Sequence, residues 1–214
     1  MKKIISIIVS LATVITMFAG CGKEEVFRLI KVNSFEGAVT VEREEKTDVF
    51  EGMQLISEDS VEVGEASLLE LLADSDKHIV AEANTVFKVT SSGTEKSGNI
   101  TIDLLYGKSL FTIDNKLPDG STFEVNTPNA SLSVRGTVFH VSYDPETETT
   151  TVEVTEGVVE VVSADGTQTI EAGGMCTVSG GNYNAEESVT ENITKKKILK
   201  SVKETYYNDD GSIK

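Results

Sequence analysis

Between about Phe35 and Val178, apolar and polar residues alternate one for one in short runs. Ala38-Val39-Thr40-Val41-Glu42, Ile100-Thr101-Ile102-Asp103-Leu104, Phe123-Glu124-Val125-Asn126 and Val152-Glu153-Val154-Thr155 are examples. A period of two places one face of a β-strand in a core and the other in solvent. Thr and Val fill these runs, and both suit a pleated surface. Turn formers separate them: Ser92-Gly93, Pro118-Asp119-Gly120, Asp144-Pro145, Asp165-Gly166 and Gly173-Gly174. Ala66 to Ala73, with Leu68, Leu69, Leu71 and Leu72, fits a helix or a strand, and the strand is preferred. The pattern predicts an all-β body.

The body resembles itself. Glu36-Gly37-Ala38-Val39-Thr40-Val41 leads to Val49-Phe50-Glu51-Gly52-Met53. Glu156-Gly157-Val158-Val159-Glu160-Val161 leads to Ile170-Glu171-Ala172-Gly173-Gly174-Met175, and Tyr106-Gly107-Lys108-Ser109-Leu110-Phe111 is a weaker third copy. Unequal intervals exclude a strict array. Coils or hairpins of related geometry are expected, as a β-solenoid-like roll or a two-sheet sandwich of short strands.

Around Pro128 the chain reads Pro128-Asn129-Ala130-Ser131-Leu132-Ser133-Val134-Arg135-Gly136-Thr137-Val138-Phe139-His140-Val141. This resembles the FecR domain, whose hallmark is Val-Arg-Gly-Thr-x-Phe-x-Val after a Thr-Pro turn, followed by Glu-Gly-x-Val-x-Val. The second element is Glu156-Gly157-Val158-Val159-Glu160-Val161, and the ordered likeness extends over about 35–180. The family implies an extracytoplasmic sensing or scaffold domain. FecR itself relays a signal to a sigma factor through a cytoplasmic N-terminal segment. Here only Met1 to Lys3 precede the apolar run, so no direct sigma-factor contact is expected.

Of the hallmark residues Val134, Arg135, Gly136, Thr137, Phe139 and Gly157, a structural role is expected. Val134 and Phe139 face a core, Gly136 allows a bulge because the apolar phase shifts before Phe139, and Thr137 hydrogen-bonds locally. For Arg135, an ion pair or backbone clamp is favoured over a ligand contact.

At the N-terminus Lys2 and Lys3 precede the uncharged run Ile4 to Phe18, which ends in Ala19-Gly20-Cys21. This reads as a secretory signal, and its ending resembles the lipobox of bacterial lipoproteins. The expected plan is a signal peptide over 1–20, lipidation at Cys21 and a tether over 21–34. The all-β domain would then cover 35–180, with a helix and tail over 181–214. An apolar run retained as a membrane anchor is the alternative, and either reading sets the body on the extracytoplasmic face of the cell membrane. In the last segment Val189, Ile193, Leu199 and Val202 lie near helical spacing, with Glu186, Glu187 and Glu191 early and lysines late. Cys176 alternates in phase with Val178 and reads as a small buried hydrophobe rather than a reactive thiol.

Charge narrows the function. With 35 acidic against 19 basic residues in 214, the net charge is −16, which argues against nucleic acid, whose binding needs Lys and Arg on phosphates. Two Cys and two His leave little for a metal site, and no cofactor is expected. There is no His-Glu-x-x-His, Gly-x-Ser-x-Gly or Walker loop in the sequence. The expectation is a non-enzymatic module, held to the membrane by its lipid anchor, that binds an envelope protein partner. A cell-surface glycan is the alternative ligand, weakened by the absence of Trp.

Overall fold

The computed structural model describes residues 29–93, 97–180 and 182–187. These residues form seventeen strands and no helix. The first eight strands are β1 (Ile30–Glu36), β2 (Val39–Glu42), β3 (Lys46–Asp48), β4 (Gln54–Leu55), β5 (Ser60–Val63), β6 (Leu68–Ala73), β7 (Lys77–Ala81) and β8 (Thr85–Gly93). The long β9 (Gly98–Ile113) follows, then β10 (Thr122–Thr127), β11 (Ala130–Val134), β12 (Val138–Asp144) and β13 (Thr149–Glu156). The last are β14 (Val158–Ser163), β15 (Gly166–Glu171), β16 (Gly174–Ser179) and β17 (Asn182–Glu187). The leucine-rich stretch is thus the strand β6.

The strands join in one continuous sheet made of two ladders. One runs β4–β1–β6–β7–β9–β12–β13–β16–β17, antiparallel throughout. The other runs β3–β2–β5–β8–β9–β10–β11–β14–β15, antiparallel except for the parallel pair β9–β10. The body is thus all-β, its strands joined in an open mixed sheet. The N-terminal part of β9 lies between β8 and β10, and from Gly107 onward it lies between β7 and β12. Gly107 makes that change of ladder possible. Its φ is +96°, and a Cβ there would stand 2.6 Å from the Asn84 carbonyl oxygen.

The internal repeat has a structural meaning. β1 passes through Gly37 into the hairpin β2–β3 of the other ladder, and the chain returns as β4 beside β1. β13 passes through Gly157 into the hairpin β14–β15 and returns as β16 beside β13. A glycine between a polar end and an alternating run therefore marks a crossing between ladders.

Inward side chains of both ladders form one core cluster. At its centre Phe111 stacks on its cross-strand neighbour Phe139 at 4.9 Å. Phe111 also meets the edge of Phe123, from the opposite ladder, at 6.0 Å. Each fully buried Phe is worth about 1.5–3 kcal/mol, so this trio ties the ladders together. Ile30 and Val32 belong to the same core, so the folded body takes in residues 30–34 of the stretch read as tether. At the other end, residues 184–187 of the expected helix form part of β17 instead, because they pair with β16. The rest of that helix, the leader and Cys21 lie outside the described residues.

Candidate functional site

The hallmark residues build two adjoining crossings. β11 ends at Val134, which is buried, and the chain turns through Arg135, Gly136 and Thr137 into β12 of the other ladder. β13 crosses in the opposite direction through Gly157. A Cβ on Gly157 would lie 2.7 Å from the Gly136 carbonyl oxygen and 2.8 Å from Thr137 Cγ2, so the crossings are packed backbone to backbone. Gly136 is therefore a corner and not the expected bulge. The bulge comes later, between Val138 and Phe139, where the register with β13 slips. Thr137 does not make the local side-chain bond expected of it. Its Oγ1 is buried and finds no partner among the described residues, while its carbonyl accepts the Ile113 N–H at 2.9 Å. The residue is held by its backbone and its methyl group.

Arg135 differs from its neighbours. It is exposed and makes no hydrogen bond or ion pair among the described residues, so the expected ion pair or backbone clamp is not found. Pairing between β10 and β11 ends at Glu124 with Ser133, while β14 runs past that point to Val158. Where β11 turns away, a groove of about 520 Å³ opens, lined by Ser121, Thr122, Ser133, Arg135, Val158 and Glu160 among others. It offers one guanidinium, one carboxylate, several hydroxyls and an apolar side chain. The guanidinium in that set can bind a carboxylate or stack on a ring. Val158 and Glu160 were not singled out by sequence reasoning, since both read as outward positions of an alternating strand.

The Thr-Pro turn at the far end of β10–β11 is a clamp. Thr127 Oγ1 and Thr150 Oγ1 are 2.7 Å apart, and Asn129 Nδ2 donates to the carbonyls of Glu148 at 2.7 Å and Val178 at 3.1 Å. The hairpin is thereby fastened to β13 and β16, which leaves the groove end as the irregular one.

Elsewhere several charged groups are paired. Arg43 donates twice to the fully buried Asp59, at 2.6 Å to each oxygen, and Asp59 also accepts the Ile56 N–H. Both histidines lie on the outer face of the first ladder. His140 Nε2 sits 3.0 Å from Glu82 Oε1, and His78 Nδ1 sits 3.2 Å from Glu70 Oε1. The His140 hydrogen bond holds the Glu82 carboxyl below its ordinary pKa, against an opposing push from burial. Cys176 is fully buried, and burial pushes its thiol pKa up. Among the described residues no cluster of three His, Cys, Asp or Glu is placed to hold a metal ion.

This geometry can be set against known proteins. The family model described as "FecR protein" matches residues 59–160, which span β5 to β14 and contain both crossings. Residues 59–160 carry a FecR domain. Two crystal structures, at 2.50 and 1.65 Å, of a protein described as "a putative anti-sigma factor from Parabacteroides distasonis ATCC 8503" share the fold. Each is 19% identical over 70% of this chain and 67% of the other, with a TM-score of 0.54. At that identity the likeness speaks for the fold alone. No curated protein matches the chain.

Proposed function

We propose that this FecR-domain chain is a lipid-anchored, extracytoplasmic module that docks an envelope protein partner through the Arg135 groove and carries out no catalysis. The FecR domain supports a regulatory or sensing role. The apolar leader ending in Ala19-Gly20-Cys21 supports the anchor and the location. One observation carries the docking reading: Arg135, a hallmark side chain left exposed and without a partner among the described residues, stands at the lip of a groove. An exposed Arg in water gains little for the fold, whereas one desolvated beneath a partner ranks among the strongest interface contacts.

The test is crosslinking in intact cells followed by capture from membranes, with wild type and Arg135→Glu compared at equal abundance. Wild type is expected to retain a reproducible envelope protein that the variant loses. Equal recovery from both would overturn the reading. Retention on cell-wall polysaccharide that survives Arg135→Glu would replace the protein partner with a glycan.

A further inference from the structure

The charge of the chain is unevenly placed. Residues 136–187, which cover β12 to β17, contain ten Asp and Glu and no Lys or Arg. At one edge of the second ladder lies the hairpin β14–β15, and among the described residues β15 pairs only with β14. The outer face of this hairpin combines two chemistries. Val158 and Val162 are 45% and 40% exposed, the exposed Glu160 lies between them, and Asp165 and Glu171 flank the strand beside them. Exposed valines in a row are not explained by solubility, and residues 136–187 offer these acids no cation, with Arg135 near Glu160 across the groove.

One stretch of the chain complements both features. Residues 195–203 read Lys195-Lys196-Lys197-Ile198-Leu199-Lys200-Ser201-Val202-Lys203, five cations interleaved with three apolar side chains. The path to the hairpin is short. β17 ends at Glu187, whose partner in the register is Gly174, three residues beyond the end of β15. The seven residues 188–194 reach at most about 25 Å when extended. That distance exceeds the length of a six-residue strand such as β15, about 20 Å.

We propose that segment 195–203 docks in cis on the outer face of the β14–β15 hairpin, its lysines against Glu160, Asp165 and Glu171 and its apolar side chains against Val158 and Val162. The inference does not depend on the partner reading above, since it involves one chain and no envelope protein. The segment would cover part of the Arg135 groove, because Val158 and Glu160 line both.

The test is zero-length carbodiimide crosslinking of the full chain in detergent, mapped by mass spectrometry on an equal mixture of light and heavy isotope-labelled protein. The expected result is same-isotope links from Lys195–Lys203 to Glu160, Asp165 or Glu171. The link to Asp165, whose carboxylate the variant keeps, should fall at least about fivefold in Glu160→Lys/Glu171→Lys, and all three should fall in high salt. Both substitutions are at exposed positions and should leave the circular dichroism unchanged. Links spread evenly over the acids of β2–β5 would overturn the proposal. So would links found chiefly between light and heavy chains, which would make a second copy the occupant. Anionic vesicles that bind through the five lysines without altering the links would also count against it, because the segment would then be free for lipid.

Discussion

Replacing Gly157 by Ala should destabilise the protein well beyond the same change at Gly136. Both residues have positive φ, +81° and +70°, so a Cβ at either carries a backbone cost of about 1–2 kcal/mol. Their surroundings differ. The nearest atom to a Cβ on Gly136 is 3.6 Å away, an ordinary contact, whereas a Cβ on Gly157 meets the Gly136 carbonyl oxygen at 2.7 Å and Thr137 Cγ2 at 2.8 Å. A backbone oxygen cannot swing aside as a side chain can, so the crossings must separate. Overpacking of this kind adds about 1–3 kcal/mol. Gly136→Ala should therefore cost about 1–2 kcal/mol and Gly157→Ala about 2–5 kcal/mol. For a domain of this size the latter lowers Tm by roughly 5–15 °C. Urea and thermal melts of the full chain measure both. A further check is Thr137→Ser in the Gly157→Ala background, which removes one colliding group. The double variant should cost less than the sum of the singles. Equal losses at the two glycines, or strict additivity with Thr137→Ser, would show that the crossings are not packed as described.

Two further outcomes follow from the polar groups. Thr137→Val keeps the shape and removes a buried hydroxyl that has no partner among the described residues, so Tm should stay level or rise; a loss of more than about 1 kcal/mol would mean that the hydroxyl is bonded after all. The Glu82 carboxyl is held below its ordinary pKa by His140, so its contribution to stability is complete above about pH 4.5 and is lost as pH falls through the lowered value. His140→Gln should remove much of that acid-side loss, with Glu82 titrating closer to the ordinary value by NMR, and an unchanged Glu82 titration would refute the pairing.

The strands were legible because alternation reports burial directly: Val39, Val41, Ile100, Ile102, Phe123 and Val125 are all in the core, as their spacing predicts. Cys176 was legible for the same reason. The crossings were only half legible. A glycine in front of an alternating run signalled a special backbone, but a bulge and a change of ladder produce the same shift of apolar phase. Which one occurs depends on pairing partners far away in sequence: Val134 belongs with Val159 and Phe139 with Phe111. The groove was not legible, since it exists only because β11 stops before its neighbours do. Nor was the ion pair of Arg43 with Asp59, as nothing local separates a buried Asp from an exposed one.

The hallmark then divides by physical role. Gly136 and Gly157 are consumed by the crossings, Phe139 by the aromatic trio, Thr137 by its backbone bond and methyl packing, and Val134 by the core. Substitution of any of these disturbs the fold first, so loss of partner binding in such variants says little about a site. Arg135 alone has no part in that packing, and an exposed, unpaired side chain changes stability by no more than about 0.5 kcal/mol when replaced. Its removal therefore separates recognition from folding: Arg135→Ala should melt with wild type while capturing less of the partner. A melting point lowered by several degrees would place Arg135 in the scaffold with the rest, and the groove would lose its claim to be the docking site.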